Sequence, residues 1–404
     1  MIDRAMTSRR VKVAIIAGEP SGDRLGADLI AAMKMQAGDR SIDLVGIGGE
    51  EMQGEGLVSL FDYSELSIVG VSAVVAKLPK LLWRIRQAAD AIVEAKPDVL
   101  IIIDSPDFTH RVARRVKARL PDLPVIDYVC PTVWAWKPER APAMRGYVDH
   151  VLSVFPFEPQ VVAALGGPPT TYVGHRLVFD MGLLSARAEQ LDRRRKQQLT
   201  GLCMLLPGSR KSELTRLLPV FAEAAAELSA LRPGVRFVLP TIARHQAFVA
   251  EQVATWPVKV EVVVGEGAKW GAFAQSDAAL AASGTVLLEL ALAGVPCVSA
   301  YKLDPLAKLL ISKITGWSAA LPNLIADYPV IREFFNDQAR GNRLARETLR
   351  LMDHTIERKA MLEGFDTVRK AMSVTRTPGE HAAEIVLRFI DRPNVNGDLP
   401  AIAH

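Results

Sequence analysis

The chain has 404 residues, 49% of them hydrophobic and 23% charged, with a net charge of +4 at neutral pH. That is enough apolar material for two ordinary cores, and it excludes a disordered chain. So mild a charge, without clustered basic and aromatic residues, argues against a nucleic-acid groove.

The apolar run VKVAII near the N-terminus is too short for a signal-peptide core or a membrane span. No later stretch reaches 18 uninterrupted apolar residues, so a soluble or peripheral protein is expected. The three cysteines, Cys130, Cys203 and Cys297, lie far apart. They supply neither a disulfide framework nor a CxxC metal knuckle, which fits a reducing cytoplasm.

VKVAII reads as a first strand, followed by the turn AGEPSGDRLG and a helix over 22–36. The strand-like runs DLVGIG, DVLIIID, PVIDYV, HVLSVF and TYVG come next, with helices over 77–95 and 108–119 among them. Such alternation predicts βαβ units and a parallel sheet covered on both faces. Residues 181–200 are charged and carry no strand, and they read as an interdomain connection. A second series follows: LCMLLPGSR, VRFVLPTI, VKVEVVVGEG, DAALAASG and PCVSAYK. The expected fold is α/β, with Rossmann-like domains over 1–180 and 198–370 whose mostly parallel sheets face a central cleft. A helix over 375–392 could pack back on the first domain.

Two turns of the second series suit a nucleotide diphosphate. In LLPGSRKSEL a strand ends in a turn with Ser209 and Arg210 before a helix, so amides and a planar guanidinium could meet a phosphate. Alone, such a turn reads more often as a solvated one with a surface arginine. In AASGTVLLELALAGVP the small residues Ser283, Gly284 and Thr285 would let a pyrophosphate approach a helix start. Glu289, about one helical turn on, could accept bonds from ribose hydroxyls. Together the two turns read as halves of one site.

In the first series, DVLIIIDSPDF leaves Asp104 at the carboxyl end of a buried strand, placed to act as general base on a sugar hydroxyl. Asp107 reads as a helix cap. Trp134 and Trp136 suit a core or cleft wall as well as a sugar face, and His175 reads as structural. In the first turn, Gly22 would let backbone approach a ligand and Ser21 would offer a hydroxyl, with Glu19 and Asp23 orienting the loop. The chain has no Asp-x-Asp pair, so a metal-held nucleotide sugar is not expected, and no metal or cofactor is predicted. No GxGxxG follows the first strand, which disfavours a dehydrogenase.

In LSIVGVSAVVAKLPKLLWRIR, residues 66–86, Leu78, Leu81, Leu82 and Ile85 recur at helical spacing and could form a core stripe. Trp83 falls among Lys77, Lys80, Arg84 and Arg86, and Val74 and Val75 precede it in an almost wholly apolar run. Apolar surface rimmed by cations suits a membrane interface.

These segments resemble the lipid-A-disaccharide synthases. The matching stretches, in order, are AGEPSGDRLG, GIGGEEMQGEG, LSIVGVSAVVAKLPKLL, KPDVLIIIDSPDF, PTVWAW, YVGH, LLPGSR, SGTVLLEL and LPNLIA. The resemblance implies a GT-B architecture and an inverting, metal-independent transfer. Its donor would be UDP-2,3-diacylglucosamine, its acceptor 2,3-diacylglucosamine 1-phosphate, and its products a β-1,6 disaccharide 1-phosphate and UDP. It also implies that Asp104 and Arg210 are needed for activity and that Ser21, Glu289 and Asn323 line the site. The segment 68–82 would meet the cytoplasmic face of the inner membrane, and a homodimer is compatible with the resemblance. Arg176, Pro20 and Pro79 depart from its pattern, which bears on acyl-chain preference. Three alternatives stay open from the residues: a UDP-N-acetylglucosamine epimerase, a peptidoglycan glycosyltransferase and a non-catalytic peripheral lipid-binding protein.

Overall fold

The computed structural model of the chain describes residues 10–66, 71–303 and 316–391, and of residues 66 and 71–77 the backbone alone. The chain divides into two compact units, Met1–Gly174 with Val374–His404, and His175–Ser373.

The first unit is built on six parallel strands: β1 (Val11–Ala17), β2 (Ile42–Ile47), β3 (Val99–Ile103), β4 (Val125–Tyr128), β5 (His150–Ser153) and β6 (Thr170–Tyr172). They lie in the order β2-β1-β3-β4-β5-β6. Each β3 side chain is apolar because both faces of the sheet are covered. Val99, Ile101 and Ile103 enter one core, while Leu100 and Ile102 enter the other. The helices are α1 (Pro20–Gln36), α2 (Glu50–Gly54), α3 (Val71–Ala95), α4 (Pro106–Arg119), α5 (Arg140–Met144) and α6 (Glu158–Ala164). The last helix among the described residues, Pro378–Asp391, belongs to this unit as well. It packs on α1, where the Gly379 amide donates to Asp28 at 3.0 Å and Gln36 donates to the Glu380 carbonyl at 2.9 Å.

The second unit repeats the plan. Its strands are β7 (Leu202–Leu206), β8 (Arg236–Thr241), β9 (Val260–Val264), β10 (Ala278–Ala282), β11 (Cys297–Tyr301) and β12 (Glu333–Phe335). Their order is β12-β11-β10-β7-β8-β9, again all parallel. Its helices are α7 (Met181–Arg195), α8 (Lys211–Leu231), α9 (Gln246–Ala254), α10 (Glu266–Gln275), α11 (Thr285–Ala293), α12 (Leu321–Ala326), α13 (Gly341–Met352) and α14 (Ile356–Met372). The charged stretch read as a connection is mostly helix α7. Its polar residues are partly internal: Gln190 donates to the Phe273 and Ser276 carbonyls, and buried Arg193 pairs with Asp277.

In each sheet the chain winds outward from a central strand and then returns to its other side. The reversal falls between β1 and β3 in the first unit and between β7 and β10 in the second. Loops leaving two such neighbours diverge and open a crevice at their carboxyl ends.

Two buried carboxylates fix loops along the carboxyl edge of the first sheet. Asp23 accepts from the amides of Gly49 at 2.6 Å, Glu51 at 3.1 Å and Met52 at 3.2 Å, and so holds the start of α2. Glu158 accepts from the Phe155 amide at 3.1 Å and from the Trp134 indole at 3.3 Å. Burial pushes its carboxyl up to about 8, with those hydrogen bonds pulling the other way.

Replacing Asp23 with Ala strands three backbone donors and is expected to lower the unfolding free energy by about 2 kcal/mol, with Asp23→Asn losing about half as much. Urea titration followed by circular dichroism measures this, and an unchanged midpoint would mean that α2 does not depend on the carboxylate. For Glu158, the folded chain keeps a proton that the unfolded chain releases, between the ordinary value of 4.5 and about 8. Stability therefore falls as pH rises through that window. Glu158→Gln should flatten the decline in the urea midpoint, and equal slopes in the two proteins would contradict the assignment.

Candidate active site

At the reversal in the first unit, β3 delivers Asp104 to the sheet's edge. Asp104 and Ser105 sit consecutively in the left-handed region, at φ 51° and 48°, a strained arrangement for residues that bear side chains. The fold over-determines it. The Asp104 amide donates to the Tyr128 carbonyl at 3.2 Å, and Thr109 Oγ1 donates to the Asp104 carbonyl at 2.6 Å. The carboxylate is half-buried and takes the Ser105 amide on Oδ1 at 2.7 Å.

Across the crevice, Ser21 is exposed on the first turn of α1. Gly22 corrects the expectation of a ligand-facing backbone. It is buried, and a Cβ there would lie 3.3 Å from Ile103 Cγ2 and 3.4 Å from the Ala17 Cβ, so the glycine lets α1 close onto the strands. Asp107 is not the cap of α4 either. It lies inside the helix and pairs with Arg140 at 3.2 Å.

A polar chain missed in the sequence lies behind Asp104. Asp127, on β4, is fully buried and is raised above the ordinary carboxylate range by burial, with His110 opposing the shift and Asp104 adding to it. His110 Nε2 lies 3.3 Å from Asp127 Oδ2, but without hydrogen-bond alignment, so neither carboxylate oxygen has a full partner. His110 Nδ1 meets the Tyr147 hydroxyl at 3.0 Å, and that hydroxyl accepts from Arg114 at 3.3 Å. Farther along the edge, Trp134 packs edge-on against Phe157, with centroids 5.5 Å apart, and Glu158 fixes its indole. That arrangement suits a wall.

The second unit places both predicted phosphate turns at its own reversal, after β7 and β10. The first is not an open amide cradle. Glu213 folds back, and its Oε2 accepts from the amides of Ser209 at 3.2 Å and Arg210 at 3.3 Å. Gly208, at φ 104°, is required there because a Cβ would come within 2.4 Å of that carboxylate. The chain's own carboxylate thus occupies the expected anion position of Ser209. Arg210 pairs with Glu213 Oε1 at 3.0 Å, yet its side chain stays 78% exposed. Arg244 and His245, just beyond β8, reach the Ser209 carbonyl at 3.4 and 3.1 Å, and the guanidinium adds positive charge to this edge. The sequence PTIARHQ, closing a strand of the same series, is the signal that could have flagged them.

The second turn is more open. Gly284 and Thr285 are exposed at the start of α11, whose first turn carries no acidic residue, and Ser283 Oγ bonds the Ala319 carbonyl at 3.4 Å. An anion is favoured at such a helix start. Glu289 lies mostly inside, its carboxyl raised by burial and opposed by Lys269, which pairs with it at 3.0 Å. Asn323 is buried. Its amide is consumed internally, donating to Ser318 and the Ile331 carbonyl while accepting from the amides of Val330 and Ile331. It organises the segment that touches Ser283. His175 is structural, accepting the Leu177 amide at 3.2 Å.

Along α3, the core stripe begins at Ile85 and continues through Ala88, Ala89 and Ile92. Leu81 is partly buried against it. Leu78, Leu82 and Trp83 are 40%, 41% and 54% exposed. The side chains of Val74 and Val75 lie outside the described residues. Arg84 stacks between Phe61 and Trp83, at 4.3 and 4.7 Å, and binds Glu65. Among the described residues, no helix is long and apolar enough to cross a membrane.

Residues 13–386 match the sequence profile of a family described as lipid-A-disaccharide synthetase. The lipid-A-disaccharide synthase of Bradyrhizobium diazoefficiens is 46% identical over 378 residues, spanning 93% of this chain and 96% of that protein. Its counterpart from Paramagnetospirillum magneticum is 37% identical over 382 residues, spanning 94% and 97%. Among solved structures, the calicheamicin glycosyltransferase CalG4 superposes with a TM-score of 0.54 at 16% identity, covering 96% of this chain and 99% of that one. MurG of Acinetobacter baumannii gives 0.53 at 14% identity, covering 94% and 99%. A UDP-GlcNAc 2-epimerase from Neisseria meningitidis, bound to UDP-GlcNAc, gives 0.57 at 10% identity, covering 94% and 98%. At such identities these structures establish the α/β two-domain fold of GT-B glycosyltransferases and nothing finer. The relatives at 37–46% identity, together with the profile match, place the chain in the lipid-A-disaccharide synthase family.

Proposed function

We propose that the chain condenses UDP-2,3-diacylglucosamine with 2,3-diacylglucosamine 1-phosphate, giving the β-1,6-linked disaccharide 1-phosphate and UDP. The observation that carries this reading is the family match over residues 13–386, within which Asp104 and the two turns at Arg210 and Ser283–Thr285 all fall at strand ends beside a sheet reversal. The match favours this reaction over epimerisation, over peptidoglycan synthesis and over lipid binding without catalysis.

In the proposed reaction Asp104 takes the proton of the acceptor's 6-hydroxyl while that oxygen bonds to the donor's anomeric carbon, and the bond from that carbon to UDP breaks. Inversion follows from a single displacement. The negative charge gathering on UDP meets the exposed guanidinium of Arg210, with Arg244 and His245 beside it, and the start of α11 at Ser283–Thr285. Glu289, held by Lys269, is left to meet the ribose from one turn inside α11, and Ser21 borders the sugar.

The exposed Leu78, Leu82 and Trp83, with Lys80 and Arg86 around them, are read as the surface that rests on the cytoplasmic face of the inner membrane. Amphipathic helices bind there by apolar burial and by attraction to anionic lipid.

In detergent micelles, Asp104→Asn is expected to lower kcat by about 10²–10⁴-fold and Arg210→Ala to lower kcat/KM by about 10²–10³-fold. Circular dichroism checks the fold, and near-normal turnover by either folded variant would remove its assigned role. Joint replacement of Leu78, Leu82 and Trp83 by Ser should cut sedimentation with anionic vesicles by about tenfold or more while preserving turnover in micelles. Undiminished sedimentation would place the membrane contact elsewhere.

A further inference from the structure

The second unit holds a cavity of about 320 Å³ beside the end of α7 and the start of α14. Leu199, in its wall, leads into β7, and Arg193, also in its wall, pairs with Asp277, the residue before β10. The cavity therefore lies at the amino edge of these strands, whereas the turns at Arg210 and Ser283–Thr285 lie at the carboxyl edge. Its wall is cationic. Arg193, Arg194, Arg358 and Lys359 line it together with His354, and among the described residues that line it none is a carboxylate.

The carboxylates that act on this wall are engaged elsewhere. Asp277 accepts from Arg193 and from the amides of Thr200 at 2.9 Å and Gly201 at 2.7 Å. Asp366 is shared between Arg187 and Arg194, each at 3.1 Å. Asp353 pairs with Arg232, and Glu363 reaches Lys359 only at 4.0 Å, between two exposed side chains. Arg358 has no carboxylate partner of its own among the described residues, and its Nη1 donates to the carbonyls of Asp277 and Leu351. Burial holds its guanidinium below the usual arginine range, with Arg193 and Arg194 adding to the shift and Asp277 and Asp353 opposing it. It stays protonated all the same, as a guanidinium does in a protein. Setting Arg187, Arg193, Arg194 and Arg358 against Asp277 and Asp366 leaves two positive charges in excess. The first turn of α14 carries Arg358 and Lys359, so the positive end of the helix dipole adds to the same field. Glu357, in that turn, lines a separate cavity with Tyr328 and Arg350.

We infer that this cavity binds a small soluble dianion of the phosphate class, inorganic phosphate or a phosphate monoester. Gathering like charges costs energy that a bound anion recovers, and two excess positive charges match a dianion. Arg194 and Arg358 present planar forks of donors, which suit phosphate oxygens. At roughly 30 Å³ for each water, the space takes a tetrahedral anion with part of its hydration. A membrane headgroup is the poorer fit, because the exposed apolar side chains of α3 belong to the other unit. The inference is independent of the proposed reaction.

The test is calorimetric titration of the full chain with inorganic phosphate at constant ionic strength and about pH 8, where the dianion dominates. It is run on the unaltered protein, Arg210→Ala, Arg358→Gln and the double variant Arg194→Gln with Lys359→Gln. A binding event is expected that persists in Arg210→Ala and weakens by about tenfold or more in Arg358→Gln and in the double variant. If Arg358→Gln does not fold, the double variant, whose two side chains are exposed, decides alone. No binding by the unaltered protein, or binding abolished by Arg210→Ala and kept in the other variants, overturns the inference. Sedimentation with phosphatidate vesicles supplies the remaining arm. Its loss in Arg358→Gln, without binding of free phosphate, would assign the cavity to a lipid headgroup and overturn the soluble anion.

Discussion

A parallel sheet that winds in both directions from its middle has one pair of neighbouring strands whose following loops must part, and this constraint governs where chemistry can sit in both units. In the first unit the pair is β1 and β3, and in the second it is β7 and β10. A buried strand cannot carry polar groups along its length without stranding them, so the first polar residue is met where the strand ends. Asp104 follows Ile103, Pro207–Arg210 follow Leu206, and Ser283 follows Ala282. The same rule that makes these strands uniformly apolar thus delivers a carboxylate, a guanidinium and a helix start to their carboxyl edges.

What holds those edges is a set of buried polar side chains that bond to backbone. Asp23 gathers three amides, Glu158 holds the Trp134 segment, Asn323 ties residues 318–331 together, and Glu213 closes the turn before α8. Each lends its polar atoms to a loop, and the loop then has one conformation. The strain at Asp104 and Ser105 is tolerated for the same reason, since Thr109 and Tyr128 grip the turn from both sides. Asp127 differs from these carboxylates in having no backbone donor to hold.

The sheets were legible in the sequence because burial on both faces leaves unbroken apolar runs such as VLIII, and because glycine and serine punctuate their ends. The site turns were legible as locations and less so as chemistry. At PGSR the sequence suggests free amides, but Glu213, one helical turn onward, reaches back and fills them, a competition between ligand and self that spacing alone does not resolve. Gly22 could serve a ligand or a neighbouring strand, and contact with Ile103 decides for the strand. Lys269 neutralises Glu289 from a helix twenty residues away, so the pairing has no local signature. Charged residues 181–200 lack a strand pattern yet pack through Gln190 and Arg193 on carbonyls at the far end of α10. The clearest overlooked signal is Asp127 itself, an ionisable residue in the middle of PVIDYV.

The proposed reaction transfers a diacylated sugar from UDP to a second diacylated sugar phosphate. Release of UDP from UDP-2,3-diacylglucosamine, followed with and without 2,3-diacylglucosamine 1-phosphate, tests it most directly. Release is expected to depend on the acceptor, with a β-1,6 disaccharide 1-phosphate formed in equal amount. Release unaffected by omitting the acceptor, or no release with both substrates present, would contradict it.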